Sequence, residues 1–308
     1  NAQVREYVKE SLSYLINEYK VDGFRFDLTK GFTQKNSGDN DAVASAYDQS
    51  RVDILSDYTA HVKSVDPNAV VILEHFADSE NSALAKAGAK VWKKCNYEYR
   101  NAMLGGSDNF GAIWTGNGDL FGAYVGYMES HDEERLCYSA GGLQGDALTV
   151  ALGRAGAGAA FFLTVPGPKM IWQFGELGYD ISIEDGGRTG RKAPHWEYMD
   201  VPERKALYDT YCSLIKFRRD NPEFFDESAS FSWKVGSNNW DEGRFITCTA
   251  GNKSFVLVGN FTTSEKTFTA EMPYAGTWTN YFDKADSYNG SSLSVTLPAG
   301  EFRLLTDI

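Results

Sequence analysis

The chain has 308 residues and a formal net charge of −12, which argues against nucleic-acid binding, since that requires a basic face. Its hydrophobic fraction of 42% and charged fraction of 23% are those of an ordinary globular protein, long enough for two domains. The four cysteines include no closely spaced pair, which argues against a zinc site or a dense disulfide framework. The longest nearly uncharged stretch, residues 155–168, is interrupted by Gly and Pro, so no membrane span is predicted.

The first two thirds of the chain alternate between helix and strand patterns. Apolar residues three and four apart predict a helix over residues 2–20, which leads into a short aromatic strand over 21–28. A helix over 42–65 precedes a strand at 69–73, whose continuous apolar run is typical of a strand buried on both faces. Further helices are predicted at 81–88, 145–163 and 202–219, and further strands at 91–93, 122–128 and 168–173.

Past residue 225 the pattern changes to short alternating strands separated by Gly, Asn, Asp and Ser, which predicts an antiparallel β-sandwich. The earlier part is an α/β pattern with polar residues at strand ends. That pattern fits an eight-stranded (β/α)8 TIM-type barrel, in which active sites gather at the carboxyl ends of the strands. Only about five strands precede residue 225, so we predict strands 4 to 8 alone. The predicted domains are a partial catalytic barrel over 1–225 and an all-β sandwich over 226–308.

Three carboxylates, those of Asp27, Glu74 and Asp132, each follow a predicted strand. Barrel closure would bring them to one rim. Two carboxyl groups facing a glycosidic bond can cleave it, one as the nucleophile and the other as the acid that protonates the leaving oxygen. Glu74 follows four apolar residues and is the better candidate for the acid, and Asp27, beside Arg25, is the better candidate for the nucleophile. The alternative is a purely structural ion pair between Arg25 and Asp27.

Four segments occur in a consistent order along the chain. They are residues 23–27 (Gly-Phe-Arg-Phe-Asp), Glu74 after its apolar strand, residues 130–133 (Ser-His-Asp-Glu), and residues 168–176. Together they resemble signature regions of the α-amylase family of glycoside hydrolases (family 13), and the carboxyl-terminal strands resemble its C-terminal β-sandwich domain. The resemblance covers nearly the whole chain.

The resemblance implies a retaining hydrolase that acts on α-1,4-glucan such as starch, glycogen or maltooligosaccharides. It implies that Asp27 is the nucleophile, that Glu74 is the general acid/base, and that Asp132 stabilises the transition state. It also implies three substrate-binding residues: Arg25, Lys30 and His131. The first alternative is a transglycosylase of the same family, such as a glucan branching enzyme, because hydrolysis and transfer use the same carboxylates. A second alternative is a non-catalytic glucan-binding fragment.

One family motif, with Asp and His after the third strand and a Tyr, lies upstream of the nucleophile, and residues 1–20 do not match it. An incomplete barrel exposes a sheet edge, so we expect self-association. Gly31 also stands where the family frequently has His. Asp180 and Asp185 are candidate calcium ligands, although no regular ligand spacing supports them, and no other cofactor or metal is predicted.

Overall fold

The computed structural model describes residues 1–114, 116 and 118–308. The chain forms two compact units, Asn1–Lys93 with Thr115–Gly126, and Lys94–Trp114 with Tyr127–Ile308. The domain boundary near residue 225 stays a prediction.

The α-helices within the described residues are α1 (Ala2–Tyr19), α2 (Asp41–Ser45), α3 (Gln49–Val65), α4 (Asn81–Lys86), α5 (Asn96–Met103), α6 (Gly145–Leu163) and α7 (Pro202–Asp220). Short 3₁₀ helices cover Thr29–Gly31, Asp78–Glu80, Gly111–Ile113, Tyr138–Ala140, Gly175–Leu177, Trp196–Asp200, Pro222–Phe225 and Ser237–Asn239. The strands are β1 (Gly23–Phe26), β2 (Val70–Leu73), β3 (Lys90–Lys94), β4 (Tyr124–Tyr127), β5 (Lys169–Met170), β6 (Ser230–Lys234), β7 (Arg244–Ala250), β8 (Lys253–Gly259), β9 (Lys266–Asn280), β10 (Ser287–Leu297) and β11 (Phe302–Thr306).

The five strands of the first sheet lie in chain order, β1-β2-β3-β4-β5, and the pairs β1/β2 and β2/β3 are parallel. This order and direction are those of consecutive strands in a β/α barrel, so the α/β class and the five-strand prediction are confirmed. In the first unit, α1, α3 and β2 share a buried apolar core to which Leu12, Leu55 and Val71 contribute.

The single helix predicted over 42–65 is wrong in one respect, because it is two helices, α2 and α3. Asp48 is the N-cap of α3, and its side chain accepts hydrogen bonds from the Ser50 N–H and the Thr33 hydroxyl. An N-cap residue has extended backbone dihedrals, so the helix cannot run through Asp48.

Gly23 sets how closely β1 and β2 approach. It pairs with Val70, and a Cβ at position 23 would lie 2.1 Å from the Val70 carbonyl oxygen. No side chain fits there, so glycine is required. From this start the register runs to Phe26 opposite Leu73, which places Asp27 and Glu74 just beyond the paired ends of the two strands. The glycine of the first signature segment thus sets the placement of both carboxylates.

Helix α6 is the central core helix of the second unit. Its length and composition would suffice to cross a membrane, but 67% of its most apolar window is buried inside the structure. Phe161 and Phe162 of α6 pack in one core with Phe110, Phe217 and Phe255. Burial of this kind is expected for a core helix, and it accounts for the apolar composition.

The six antiparallel strands have the order β10-β9-β11-β8-β7-β6. Alternate residues of β8 enter different cores: Phe255 and Leu257 face the helices, whereas Val256 and Val258 pack with residues of β9 and β10. Strands β8 and β9 are not neighbours in the sheet, so this second core is formed by packing of one part of the sheet over another. Such packing is that of a sandwich.

Two carboxyl-terminal predictions need correction. The alternating pattern past residue 225 predicts separate short strands at 266–269 and 277–281, whereas the structure has one strand, β9, from Lys266 to Asn280. Its pairing with β10 passes from Glu271 opposite Ser292 to Gly276 opposite Gly290, so residues 272–275 stay unpaired. Pro273 lies in this irregularity, where its missing N–H breaks no ladder hydrogen bond.

Candidate active site

Arg25 lies between the two carboxylates predicted to be catalytic. Its Nη1 donates to Asp27 Oδ1 at 2.6 Å, and its Nη2 is 2.6 Å from Glu74 Oε1. The second contact is an ion pair without hydrogen-bond geometry. Glu74 is 5% exposed, whereas the side chain of Asp27 is 72% exposed. The structure therefore brings Arg25, Asp27 and Glu74 together, with one carboxylate buried and the other open to solvent.

The backbone just after β1 has a strained conformation that places two N–H groups against Glu74. Leu28 has φ +42°, in the left-handed region, and its N–H donates to Glu74 Oε2 at 2.9 Å. The N–H of Thr29 donates to the Glu74 carbonyl at 2.8 Å. A non-glycine residue in this region costs about 1–3 kcal/mol and persists where its surroundings fix it. Phe76, two residues after Glu74, also has a positive φ, of +50°. Strain is thus present just beyond both strand ends.

Lys30, predicted to bind substrate, pairs with Asp41 at 2.6 Å. It faces a cavity of about 350 Å³ whose lining includes Leu28, Gly31 and Thr33. Its ammonium group is therefore neutralised by Asp41.

A buried charged network, which the sequence does not predict, lies behind Glu74. Arg51 donates to both carboxylate oxygens of Glu80, and His75 Nε2 is 2.9 Å from Glu80 Oε2. Because an ionised carboxylate accepts only, His75 Nε2 carries the proton that bonds to Glu80. His75 Nδ1 lies 3.0 Å from the Thr29 hydroxyl, which also donates to the Glu74 carbonyl at 3.1 Å. Burial acts to raise the pKa of Glu80, but hydrogen bonds from Arg51 and from the Asp48 N–H hold that pKa below its ordinary value. The network joins α3 to the segments that carry Thr29 and Glu74.

We expect His75 to make this unit less stable in mild acid. Burial lowers the pKa of His75, although the Glu80 carboxylate opposes the shift. The contribution of neutral, buried His75 to the free energy of unfolding is complete above its unfolded-state pKa of about 6.5. It is lost as the pH falls towards the lower pKa that His75 has in the folded state. The free energy of unfolding should therefore fall from pH 7.5 to 5.5, with a slope of at most about 1.4 kcal/mol per pH unit. Urea unfolding across this range measures it.

The matched variants for this test are His75→Gln and His61→Gln, both in the first unit. His75→Gln keeps a donor towards Glu80 and should flatten the slope, and His61→Gln is the control for loss of a histidine outside the Arg51–Glu80–His75 network. An unchanged slope in His75→Gln would contradict the assignment.

The second unit holds the other two predicted site residues. His131 Nε2 lies 3.1 Å from Asp132 Oδ2, and both side chains are about half exposed. The Asp132 N–H donates to Ser130 Oγ at 3.0 Å, and the Ser130 hydroxyl donates to Glu133 Oε2 at 2.6 Å. These bonds fix the turn after β4 and leave His131 and Asp132 accessible to a sugar.

His131 and Asp132 line a cavity of about 450 Å³ in this unit. Trp172 also lines it, with its ring centroid 6.0 Å from that of His131. Residues 181–183 and 188–190 of the long loop after β5 form another wall. A cavity of this size, with convergent polar groups and an aromatic ring, can hold a sugar residue.

A buried ion pair that the sequence does not predict supports the turn. Arg135 Nη2 lies 3.1 Å from Glu129 Oε2 and donates to the Gln173 carbonyl, and the Leu136 N–H donates to Glu129 Oε1. Burial raises the pKa of Glu129, and the nearby Arg135 charge opposes this shift. The buried pair of Glu129 and Arg135 therefore fixes the backbone on both sides of the turn that carries His131 and Asp132.

Calcium binding by Asp180 and Asp185 stays a prediction. Asp180 accepts from Tyr198 at 2.6 Å and pairs with Arg204 at 2.6 Å, so both of its carboxylate oxygens are engaged. The carbonyl of Asp185 accepts from Lys192. Among the described residues, no group of three or more His, Cys, Asp or Glu side chains is arranged to hold a metal ion.

No family model matches the chain. The 1,4-alpha-glucan branching enzyme GlgB of Leifsonia xyli subsp. xyli is 21% identical over 318 residues, which cover 95% of this chain and 42% of that enzyme. The chain thus spans less than half the length of this curated relative.

Solved structures show the same fold. The α-amylase from Geobacillus thermoleovorans, complexed with acarbose, superposes with a TM-score of 0.68 at 13% identity, over 99% of this chain and 64% of that one. The maltogenic α-amylase AmyB from Thermotoga neapolitana superposes with a TM-score of 0.67 at 14% identity, over 100% of this chain and 66% of that one. The resemblance to the α-amylase family of glycoside hydrolases is therefore confirmed in fold, as part of a parallel barrel sheet followed by an antiparallel β-domain.

Proposed function

We propose that this chain carries the catalytic carboxylates of a retaining glycoside hydrolase that acts on α-1,4-glucan. The observation that carries the proposal is Arg25, which contacts both Asp27 and Glu74 at 2.6 Å. One carboxylate is exposed and the other buried, and this is the asymmetry that a nucleophile and a proton donor need. The glucan-active relative and the α-amylase structures support the substrate class.

In the first step, Asp27 attacks the anomeric carbon through Oδ2, because Oδ1 is bonded to Arg25. The glycosidic C–O bond breaks, and Glu74, protonated for this step, gives its proton to the leaving oxygen. In the second step, water attacks the anomeric carbon of the glycosyl ester. Glu74 takes a proton from that water, and Asp27 leaves as a carboxylate. Each turnover restores both carboxyl groups to their starting states.

Arg25 serves both steps by position. Its guanidinium contacts Asp27 Oδ1 and Glu74 Oε1, both at 2.6 Å, so it holds the two carboxyl groups beside each other.

The proposed sugar-binding roles follow the same resemblance. Asp132 binds sugar hydroxyls and stabilises the oxocarbenium-like transition state, and His131 donates a hydrogen bond to the sugar. Their half-exposed side chains and the cavity beside them support these roles. Lys30 contacts the leaving-group side once it is released from Asp41.

A transglycosylase is the second candidate, favoured by the similarity to a branching enzyme. The deciding experiment incubates the chain with soluble starch and separates the products. Release of shorter chains with new reducing ends supports hydrolysis, and new α-1,6 branches support transfer. Starch binding without either product would support the non-catalytic glucan-binding alternative.

We also propose self-association through the edge of the parallel sheet. Within the described residues, β1 is hydrogen-bonded to β2 along one edge, and an unpaired strand edge favours association with a second copy. Light scattering across a dilution series tests this, and a monomer at every concentration would reject it.

A further inference from the structure

We infer that Arg188 is a positioning residue that holds the main chain of Asp132 for sugar binding. The inference deepens the proposed function and rests on it for the role of Asp132. Arg188 Nη2 donates to the Asp132 carbonyl oxygen across 56 positions of sequence, from the loop after β5 to the turn after β4. Arg188 itself lines the cavity that contains His131 and Asp132.

The contact with Arg188 engages the second of the two main-chain polar groups of Asp132. The N–H of Asp132 donates to Ser130 Oγ, and its carbonyl accepts from Arg188, so both of its main-chain polar groups are engaged. With the two adjoining peptide groups held, the direction of the Cα–Cβ bond is set. The Asp132 carboxylate is thus aimed by bonds that leave its own oxygens available to a sugar, apart from the contact with His131.

The loop that carries Arg188 is held by hydrogen bonds on both sides of that residue. Glu134, two residues after Asp132, accepts from the Ser182 hydroxyl at 2.8 Å and from the Ile183 N–H at 3.1 Å. Lys192 Nζ donates to the carbonyls of Asp185 and Gly187 at 2.6 and 2.8 Å. The start of the loop is therefore hydrogen-bonded to the Asp132 turn, and its middle is hydrogen-bonded to Lys192. These bonds restrict the backbone that carries Arg188.

The role of Arg188 is separable from stability. Its side chain is 50% exposed and pairs with Glu184, itself 62% exposed, and an ion pair this accessible contributes little to folding. Removing the side chain should therefore change the turn and the reaction while leaving the fold intact. Arg191, in the same loop, is exposed and provides a matched control.

The experiment compares Arg188→Met, Arg188→Lys and Arg191→Met with the parent chain. Starch hydrolysis by Arg188→Met should fall by about 10- to 100-fold, mainly in kcat, as expected when a reacting group is misplaced. Arg188→Lys should recover part of the loss, because an ammonium can still donate to the carbonyl but lacks the planar fork. Arg191→Met should stay within about twofold of the parent, and all Tm values within about 4 °C.

Amide hydrogen exchange over residues 130–134 provides a second readout that does not depend on activity. Exchange should accelerate in Arg188→Met and stay at the parent rate in Arg191→Met. Equal exchange and equal kcat in the two variants would overturn the inference. If the parent releases no sugar from starch, the proposed function fails, and the exchange data alone then decide whether Arg188 holds the turn.

Discussion

Glu74→Gln is expected to reduce starch hydrolysis by about 10²- to 10⁴-fold, the usual range for loss of a general acid. Asp27→Asn should reduce it by at least about 10⁴-fold, because no covalent intermediate can form. Both replacements keep the shape of the side chain and remove its charge. Circular dichroism should show both variants folded, and reducing-sugar release measures the rates.

A 4-nitrophenyl α-maltoside separates the two roles. Nitrophenolate leaves without protonation, so the first turnover of Glu74→Gln should be far less impaired on this substrate than on starch. Asp27→Asn should be equally impaired on both, since attack at the anomeric carbon is needed in each case. Asp22→Asn and Glu18→Gln, exposed positions in the same unit, are the matched controls and should match the parent. Equal impairment of Glu74→Gln on both substrates would contradict its assignment as the acid.

Arg51→Met is expected to destabilise the first unit by about 3–5 kcal/mol, the cost of leaving one partner of a buried ion pair alone. Arg51 is 1% exposed, and besides Glu80 it donates to the carbonyls of Lys30, Ala44 and Ala46. Its loss leaves the buried Glu80 charge uncompensated and frees the segment that carries Lys30. Urea unfolding of the parent and the variant measures the difference.

A double-mutant cycle makes this test specific. Arg51→Met with Glu80→Gln should recover part of the stability lost in Arg51→Met, because the uncompensated charge is then gone. Lys35→Met, at a 59% exposed side chain, should change stability by less than about 0.5 kcal/mol. A loss below about 1 kcal/mol in Arg51→Met, or no recovery in the double variant, would rule out a strong buried pair.

The sequence predicts those parts of the site that are local. Arg25 and Asp27 are two residues apart on a strand, so the period of two predicts their contact, which the structure shows at 2.6 Å. The apolar run before Glu74 predicts a strand without reference to any other part of the chain, and it places Glu74 at the end of that strand. The contact of Glu74 with Arg25 depends on the β1/β2 register, which Gly23 sets through an approach too close for any Cβ.

The parts that the sequence does not predict depend on long-range contacts. Arg51 and Glu80 are 29 residues apart, and nothing in either neighbourhood indicates that both are buried. Arg188 reaches Asp132 from a loop with no regular pattern. The break between α2 and α3, by contrast, has a local signal, since Asp48 directly before Gln49-Ser50 is a good N-cap.

The composition of α6 has a consequence during synthesis on the ribosome. The aromatic residues of α6 are covered by Phe255, Phe261 and Leu304. These three residues lie in the antiparallel domain, so the ribosome makes them well after α6. At translation rates of about 5–20 residues per second, the interval is on the order of ten seconds. For that time a helix apolar enough to cross a membrane lacks these later partners, although residues made before it, such as Phe110, are already present. The apolar surface of α6 that these later partners cover is therefore exposed to solvent until the antiparallel domain folds.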